Sequence, residues 1–310
     1  MKNMNLTLVV LAAGIGSRYQ ANWGRLKQID YFGPHNEILL EYSIYDAIQA
    51  GFKKVIFVIR KDFEEEFKNL IKNVPTDKIE VVFAFQNLDD LPEGFTRPET
   101  RTKPRGNGQA ILAALTKMQG ERFAVINADD FYGRESYQVL ADFLSDETTK
   151  NQGAIVGYQL PKVLSENGGV SRGLCEMENG KLVKINETKN IQRINGEIIG
   201  MEESSGEEKK LSEGYLCSMG MLAFPEGIEP FAKQYFIEFL QTNLQSEKAE
   251  FYCPYILSRW KNEENQEIKV LSTTAQWFGI TYQQDKEETK KRIKNLIERG
   301  VYPENLRSDF

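Results

Sequence analysis

Residues 11–18 read Leu-Ala-Ala-Gly-Ile-Gly-Ser-Arg and follow the apolar run Leu6–Val10. Gly14 and Gly16 allow backbone N–H groups to approach a ligand closely, and a phosphate is the common one. Arg18 and, nine residues further on, Lys27 supply cations. A guanidinium makes forked hydrogen bonds to phosphate and an ammonium acts as a point charge. Two familiar glycine loops fail on spacing: a dinucleotide fingerprint needs a third glycine where Tyr19 stands, and the Gly-Lys-Ser/Thr of a P-loop is absent. Alone, the stretch reads equally as a strand-end turn flanked by surface cations. A second segment, Asn127-Ala-Asp-Asp-Phe-Tyr-Gly133, also follows an apolar run. Its Asp129 and Asp130 are either caps of the next turn or helix or ligands.

Composition removes several alternatives. The chain has 310 residues with 45 acidic against 39 basic side chains, net −6, which argues against a nucleic-acid coat but leaves room for a local cationic pocket. The one histidine, His35, sits among Gly33, Pro34 and Asn36, a turn context, so histidine-based hydrolysis and histidine-rich metal centres are poor readings. Cys175, Cys217 and Cys253 show no Cys-x-x-Cys spacing and suit buried free thiols in a reducing compartment. No apolar run reaches the length of a membrane helix. The N-terminal run enters a Gly-x-Gly turn rather than a cleavage site. A cytoplasmic protein is expected, with no nucleic-acid partner and no membrane insertion.

The elements that must position these residues alternate. Residues 6–12, 53–60, 79–85 and 122–128 are apolar strands; 39–50, 63–71, 108–118 and 134–145 are helical. Such alternation predicts an α/β, mostly parallel sheet with helices on both faces, and ligands collect at the carboxyl ends of its strands. The segments at 11–18 and 127–133 then meet over one site. The second half differs. Residues 154–160, 173–178, 181–187 and 215–224 read as strands, with a hairpin at Asn179-Gly180. Helical patterns return near 228–242 and 285–298. The polar stretch 188–212 reads as a mobile excursion, and Arg97–Arg105 as an exposed loop. No Pro/Ser-rich linker divides the chain, so 1–150 and 151–310 are expected as two halves of one domain.

Taken together, Gly14-x-Gly16-Ser17-Arg18 followed by Lys27-Gln28, Gln86 at a strand end, Gly106-Asn-Gly-Gln-Ala110, Ala128-Asp-Asp-Phe-Tyr-Gly133, Gly173, Glu187 and Met219–Phe224 resemble the sugar-1-phosphate nucleotidyltransferase family over residues 6–282. The resemblance implies a Rossmann-like mixed, mostly parallel sheet with helices on both faces and a smaller β-rich sugar-binding subregion. It implies Mg²⁺-assisted transfer of a nucleotidyl group from a nucleoside triphosphate to a sugar 1-phosphate. Ala12, Ala13, Gly14, Gly16 and Ser17 would form the nucleotide loop; Arg18 and Lys27 would hold the triphosphate; Gln86, Gly106 and Gly108 would read the base, with UTP ahead of dTTP. Asp129 would bind Mg²⁺, with Asp130 as a second ligand. Gly173 and Glu187 would meet the sugar.

Two positions depart from the family pattern. A metal-binding acid is expected where the chain has Gly279, so Asp130, Asp285 or water must complete the shell, or metal binding is weak. The lysine that follows the sugar glutamate is displaced to Lys184 or Lys189; an extended strand puts Lys189 on the face of Glu187. Two other readings stay open: a CTP-dependent enzyme for phosphocholine, with Tyr158, Tyr215 and Trp277 as a cage for the quaternary ammonium, and a catalytically weak nucleotide sensor supported by Gly279. A homo-oligomer is compatible with the sequence.

Overall fold

The computed structural model describes residues 5–14, 30–165, 168–279 and 285–310. Strands β1 (Leu6–Leu11), β2 (Phe52–Ile59), β3 (Glu80–Phe85) and β4 (Phe123–Asn127) lie parallel in the order β3-β2-β1-β4. Apolar side chains on both faces of these runs require cover on both faces. Helices α1 (Leu39–Gln49), α2 (Glu64–Leu70) and α4 (Arg134–Ser145) supply one cover, α3 (Asn107–Leu115) part of the other. The period of two is visible in β1: Leu8 and Val10 pack with Ile44, Phe67 and Leu140, whereas Val9 packs with Ile111 on the opposite side.

The chain continues through β5 (Asp130–Phe131), β6 (Gly153–Gln159), β7 (Val170–Glu178), β8 (Lys181–Ile194), β9 (Glu197–Glu202), β10 (Glu208–Leu211) and β11 (Leu216–Phe224). Helices α5 (Glu229–Asn243) and α6 (Cys253–Glu263), strands β12 (Ile268–Thr273) and β13 (Phe278–Gly279), and helix α7 (Asp285–Glu298) follow. β11 inserts between β4 and β6 and is antiparallel to both, while β12 runs parallel to β6. In the run β3-β2-β1-β4-β11-β6-β12 the reversed strand is therefore β11, and one sheet joins both halves. The mixed α/β sheet, covered on both faces and parallel except for β11 over the run from β3 to β12, matches the expected fold class.

Residues 188–212, expected as a mobile excursion, instead form the end of β8 together with β9 and β10 in an antiparallel extension of the sheet. Asn195 and Gly196 take φ of 49° and 85°, the mirror-image turn that Asn-Gly favours between strands. Buried Thr188, Ile191, Ile198 and Leu211 form its inner face. The many charges lie on its outer face, which hid the alternation.

The loop at 97–105 is likewise anchored. Arg101 and Arg105 are buried. Arg105 donates to the carbonyls of Asn243 (3.1 Å) and Leu244 (2.7 Å), and Arg101 to those of Ser246 (3.0 Å) and Lys103 (2.8 Å). The last carbonyls of a helix lack intrahelical donors and carry the negative end of its dipole, so these cations terminate α5 instead of facing solvent.

A third cluster, containing Phe32, Tyr42, Phe131, Phe278, Ile293 and Tyr302, seats α7 and the residues after it against α1. Polar contacts reinforce it: Arg307 donates to both carboxylate oxygens of buried Glu41 (2.8 and 2.9 Å), and Tyr302 donates to Asp46 (2.6 Å).

Candidate functional site

A cleft of about 1150 Å³ opens beyond the carboxyl ends of β1, β3 and β4, lined among others by Ala13, Gly14, Gln86, Gly106, Asn127, Asp129 and Asp130. The strand ends are tied together: Ala12 N–H donates to Val58 O (2.9 Å) and Ala128 N–H to Leu11 O (3.2 Å). Ala12 itself is buried. Gly16, Ser17, Arg18 and Lys27 lie outside the described residues.

At one end of the cleft Gln86 is held at two points. Its backbone N–H donates to Ile59 O (2.9 Å), and its side-chain Nε2 donates to Gly106 O (2.8 Å). Because the partner is a carbonyl, the NH₂ of the amide must face it, which fixes the orientation of the other end. Gly106 has φ 84°, and a Cβ there would stand 2.8 Å from Phe251 O. Gly108, expected beside a base, is committed elsewhere: its N–H donates to Phe251 O (2.7 Å), and a Cβ would fall 2.5 Å from the Phe251 ring. This glycine seats the start of α3 against the entry to α6. Gln109 is buried, accepting from Arg105 N (2.6 Å) and donating to Asn87 O (3.2 Å). Glu250 and Tyr252 also line the cleft. They carry no sequence signal, since they stand in an irregular stretch far along the chain.

At the other end are Asp129 and Asp130. Asp130 Oδ2 accepts from Asn127 Nδ2 (3.0 Å) and from the Tyr132 hydroxyl (3.2 Å), which also faces Met219 O at 3.2 Å. Burial first, and Asp130 second, hold the Tyr132 hydroxyl well above its ordinary pKa, so it stays a donor. β13 pairs with β5 and sets Gly279 opposite Asp130. Asp285 opens α7 and lines a different pocket with Trp277 and Arg172. No group of three or more metal-ligating side chains occurs among the described residues. A magnesium ion, however, takes one or two carboxylates and fills its octahedron with phosphate oxygens and water. Two neighbouring aspartates lining a cleft fit that demand.

Gly173 and Glu187 face each other across β7 and β8, and a Cβ on Gly173 would lie 3.2 Å from Glu187 Oε1. Glu187 is partly exposed, but its carboxyl is raised above the usual range, by local burial and then by Glu203, with Lys189 opposing. Lys189 pairs with Glu203 at 2.6 Å. These residues do not line the described cleft. They connect to it through β11, where Ser218 pairs with Gly173 and the carbonyl of the next residue, Met219, lies 3.2 Å from the Tyr132 hydroxyl. The aromatic cage does not form: Tyr158 is buried in the core with its hydroxyl on Tyr132 O (3.1 Å), and Arg172 already covers the Trp277 ring at 4.9 Å.

The chain is an α/β protein whose mixed sheet is covered on both faces and carries a cleft at the carboxyl edge of its parallel strands. The chain belongs to the nucleotidyl transferase family, whose model matches residues 8–260. It is 27% identical over 161 residues to a UTP–glucose-1-phosphate uridylyltransferase of Bacillus subtilis (strain 168), covering 49% of this chain and 52% of that protein. The chain thus spans about half the length of the curated relatives it matches. Two solved structures share the fold at a TM-score of 0.57 each: an inositol-1-phosphate CTP transferase from T. maritima (13% identity, 94% of this chain and 97% of that one) and a UDP-glucose pyrophosphorylase complexed with UDP-glucose (16%, 94% and 99%). No helix among the described residues is long and apolar enough to cross a membrane.

Proposed function

We propose that the protein forms a nucleotide sugar and pyrophosphate from a nucleoside triphosphate and a sugar 1-phosphate, with UTP as the favoured donor and dTTP next. The observation that carries this reading is the convergence of Gly14, Gln86 and Asp129 in one cleft at three parallel strand ends. In the reaction a sugar-phosphate oxygen bonds to the α-phosphorus while the bond from that phosphorus to the departing pyrophosphate oxygen breaks, in line. No covalent enzyme intermediate is required, so catalysis is positioning and charge neutralisation. Residues 1–150 hold the nucleotide and 151–310 the sugar. Gly14 and Gly16 give backbone clearance to the phosphates, and Arg18 and Lys27 neutralise the triphosphate and the leaving group. Asp129 and Asp130 would hold Mg²⁺, which would supply positive charge to offset that developing on the phosphates. Gly173 and Glu187 receive the sugar, Glu187 accepting from its hydroxyls, and Lys189 pairs with its phosphate. Three buried free cysteines suit a cytoplasmic setting.

The base preference follows from Gln86. With Nε2 turned to Gly106 O, its carbonyl and the second N–H of the amide are left for a base. Uracil and thymine offer N3–H to that acceptor; cytosine offers a lone pair at the same ring position. This weighs against CTP, and the buried Tyr158 and covered Trp277 weigh against phosphocholine.

The test is pyrophosphate release by the purified chain with Mg²⁺, each common nucleoside triphosphate and a panel of sugar 1-phosphates, with CTP and phosphocholine included. Release that needs both substrates and is fastest with UTP is expected. Nucleotide binding without release for every pair sinks the enzyme reading. Asp129→Asn removes charge at constant shape and should lower turnover by about a hundredfold or more; an unchanged rate would remove Asp129 from the site.

A further inference from the structure

The short strands β5 and β13 make a two-residue antiparallel pair in which Gly279 stands directly opposite Asp130, and Phe131 stacks on Phe278 with ring centres 4.3 Å apart and planes 9° off parallel. A Cβ built on Gly279 would lie 2.5 Å from Asp130 Oδ1, closer than any real methyl contact, and 3.0 Å from the Trp277 ring. Gly279 is not among the positive-φ glycines, so the glycine is there for space, not for backbone conformation. The space it leaves is filled by the Asp130 carboxylate. That carboxylate is aimed by two donors on its other oxygen, Asn127 Nδ2 and the Tyr132 hydroxyl, and Asp130 lines the same cleft as Asp129.

We infer that positions 130 and 279 form a single acid seat beside Asp129: the carboxylate reaches it from β5, and Gly279 is the clearance that admits it. Gly279 is then not the mark of a lost metal site or of a weakened sensor. The acid has changed strands, and a side chain at 279 and the carboxylate of Asp130 exclude each other. This rests on the nucleotidyl-transfer reading above, because it assigns the seat to the metal that accompanies the triphosphate.

Mn²⁺ serves as the probe, titrated into the full chain at fixed saturating UTP, with free Mn²⁺ followed by electron paramagnetic resonance and folding by thermal unfolding. Asp130→Asn removes the charge at nearly constant shape. Gly279→Ala inserts a methyl where Oδ1 lies. Each is expected to weaken Mn²⁺ binding by about tenfold to a hundredfold. The exchanged variant, Asp130→Gly with Gly279→Asp, supplies the acid from β13 and should bind Mn²⁺ at least about fivefold tighter than Asp130→Gly alone, the non-additivity expected of two positions sharing one space. Wild-type Mn²⁺ affinity in Asp130→Asn overturns the inference, including when the exchanged variant does not fold. Pyrophosphate release by the unaltered chain, measured alongside, separates the two readings. Turnover combined with unchanged Mn²⁺ affinity in Asp130→Asn removes the seat and keeps the transferase. No turnover with any pair removes the transferase, and the titration still decides the seat.

Discussion

At the scale of single residues, the bond from Gln86 Nε2 to Gly106 O fixes which way the amide faces and leaves its carbonyl as the acceptor for a base. Gln86→Met keeps length and removes that acceptor. Losing one hydrogen bond to a base costs about 1–2 kcal/mol, so kcat/KM for UTP should fall about tenfold while that for CTP changes little. An unaltered UTP/CTP ratio would show that the amide does not read the base. Gly14, Gln86, Asp129 and Asp130 were legible in the sequence because each closes an apolar run, and strand ends are where such sheets collect ligands. Gly108 was not, because its meaning is set by Phe251, whose proximity no local pattern encodes. Arg18 and Lys27 stay as proposals from type and spacing, outside the described residues.

At the scale of elements, the entry of α6 against the start of α3 forms the wall of the cleft behind Gly106. Asn107 Oδ1 accepts from Cys253 N (2.8 Å), and Gly108 lies flat on Phe251. Gly108→Ala forces a methyl against the Phe251 ring and backbone oxygen; overpacking of this kind costs about 1–3 kcal/mol, read as a lower urea midpoint at unchanged slope. A midpoint equal to that of the parent chain would mean that the wall yields. Four parallel strands and their helices were legible from apolar runs and punctuation, and Asn179-Gly180 takes the positive φ values of the expected hairpin, 51° and 76°. Helix α6 carried a usable signal in Ile256, Leu257 and Trp260 at helical spacing. The strands β5 and β13 carried none, since two residues have no period. The extension β8–β10 was masked by charge on its solvent face, and the loop at 97–105 by the convention that arginines face water.

At the scale of the whole molecule, α1 and the residues after α7 share a buried polar seam. Asp46 Oδ2 accepts from Tyr302 while Oδ1 faces Arg134 Nε at 3.5 Å, too long to compensate burial. Desolvation therefore pushes its pKa from 3.8 up to about 7, against the lowering pull of Tyr302 and Arg134. An acid whose pKa rises on folding stabilises the protein while protonated. That contribution is complete below about pH 4 and is lost as pH climbs through 7. Asp46→Asn removes the titration, so relative to the parent chain the variant should gain stability between pH 5 and pH 8, measured by urea unfolding; parallel pH profiles would show that Asp46 does not titrate there. The reversed strand has a consequence of another kind. β4 ends at Asn127, but β11, which covers its second edge, begins only at Leu216. A ribosome adding about 5–20 residues per second needs on the order of 5–20 s for those roughly 90 residues. For that interval the emerging half-sheet presents an apolar, unpaired edge, the kind of surface on which nascent chains associate with one another. Production of this protein should therefore be more sensitive to chaperone supply and to translation rate between residues 128 and 224 than to either elsewhere in the chain.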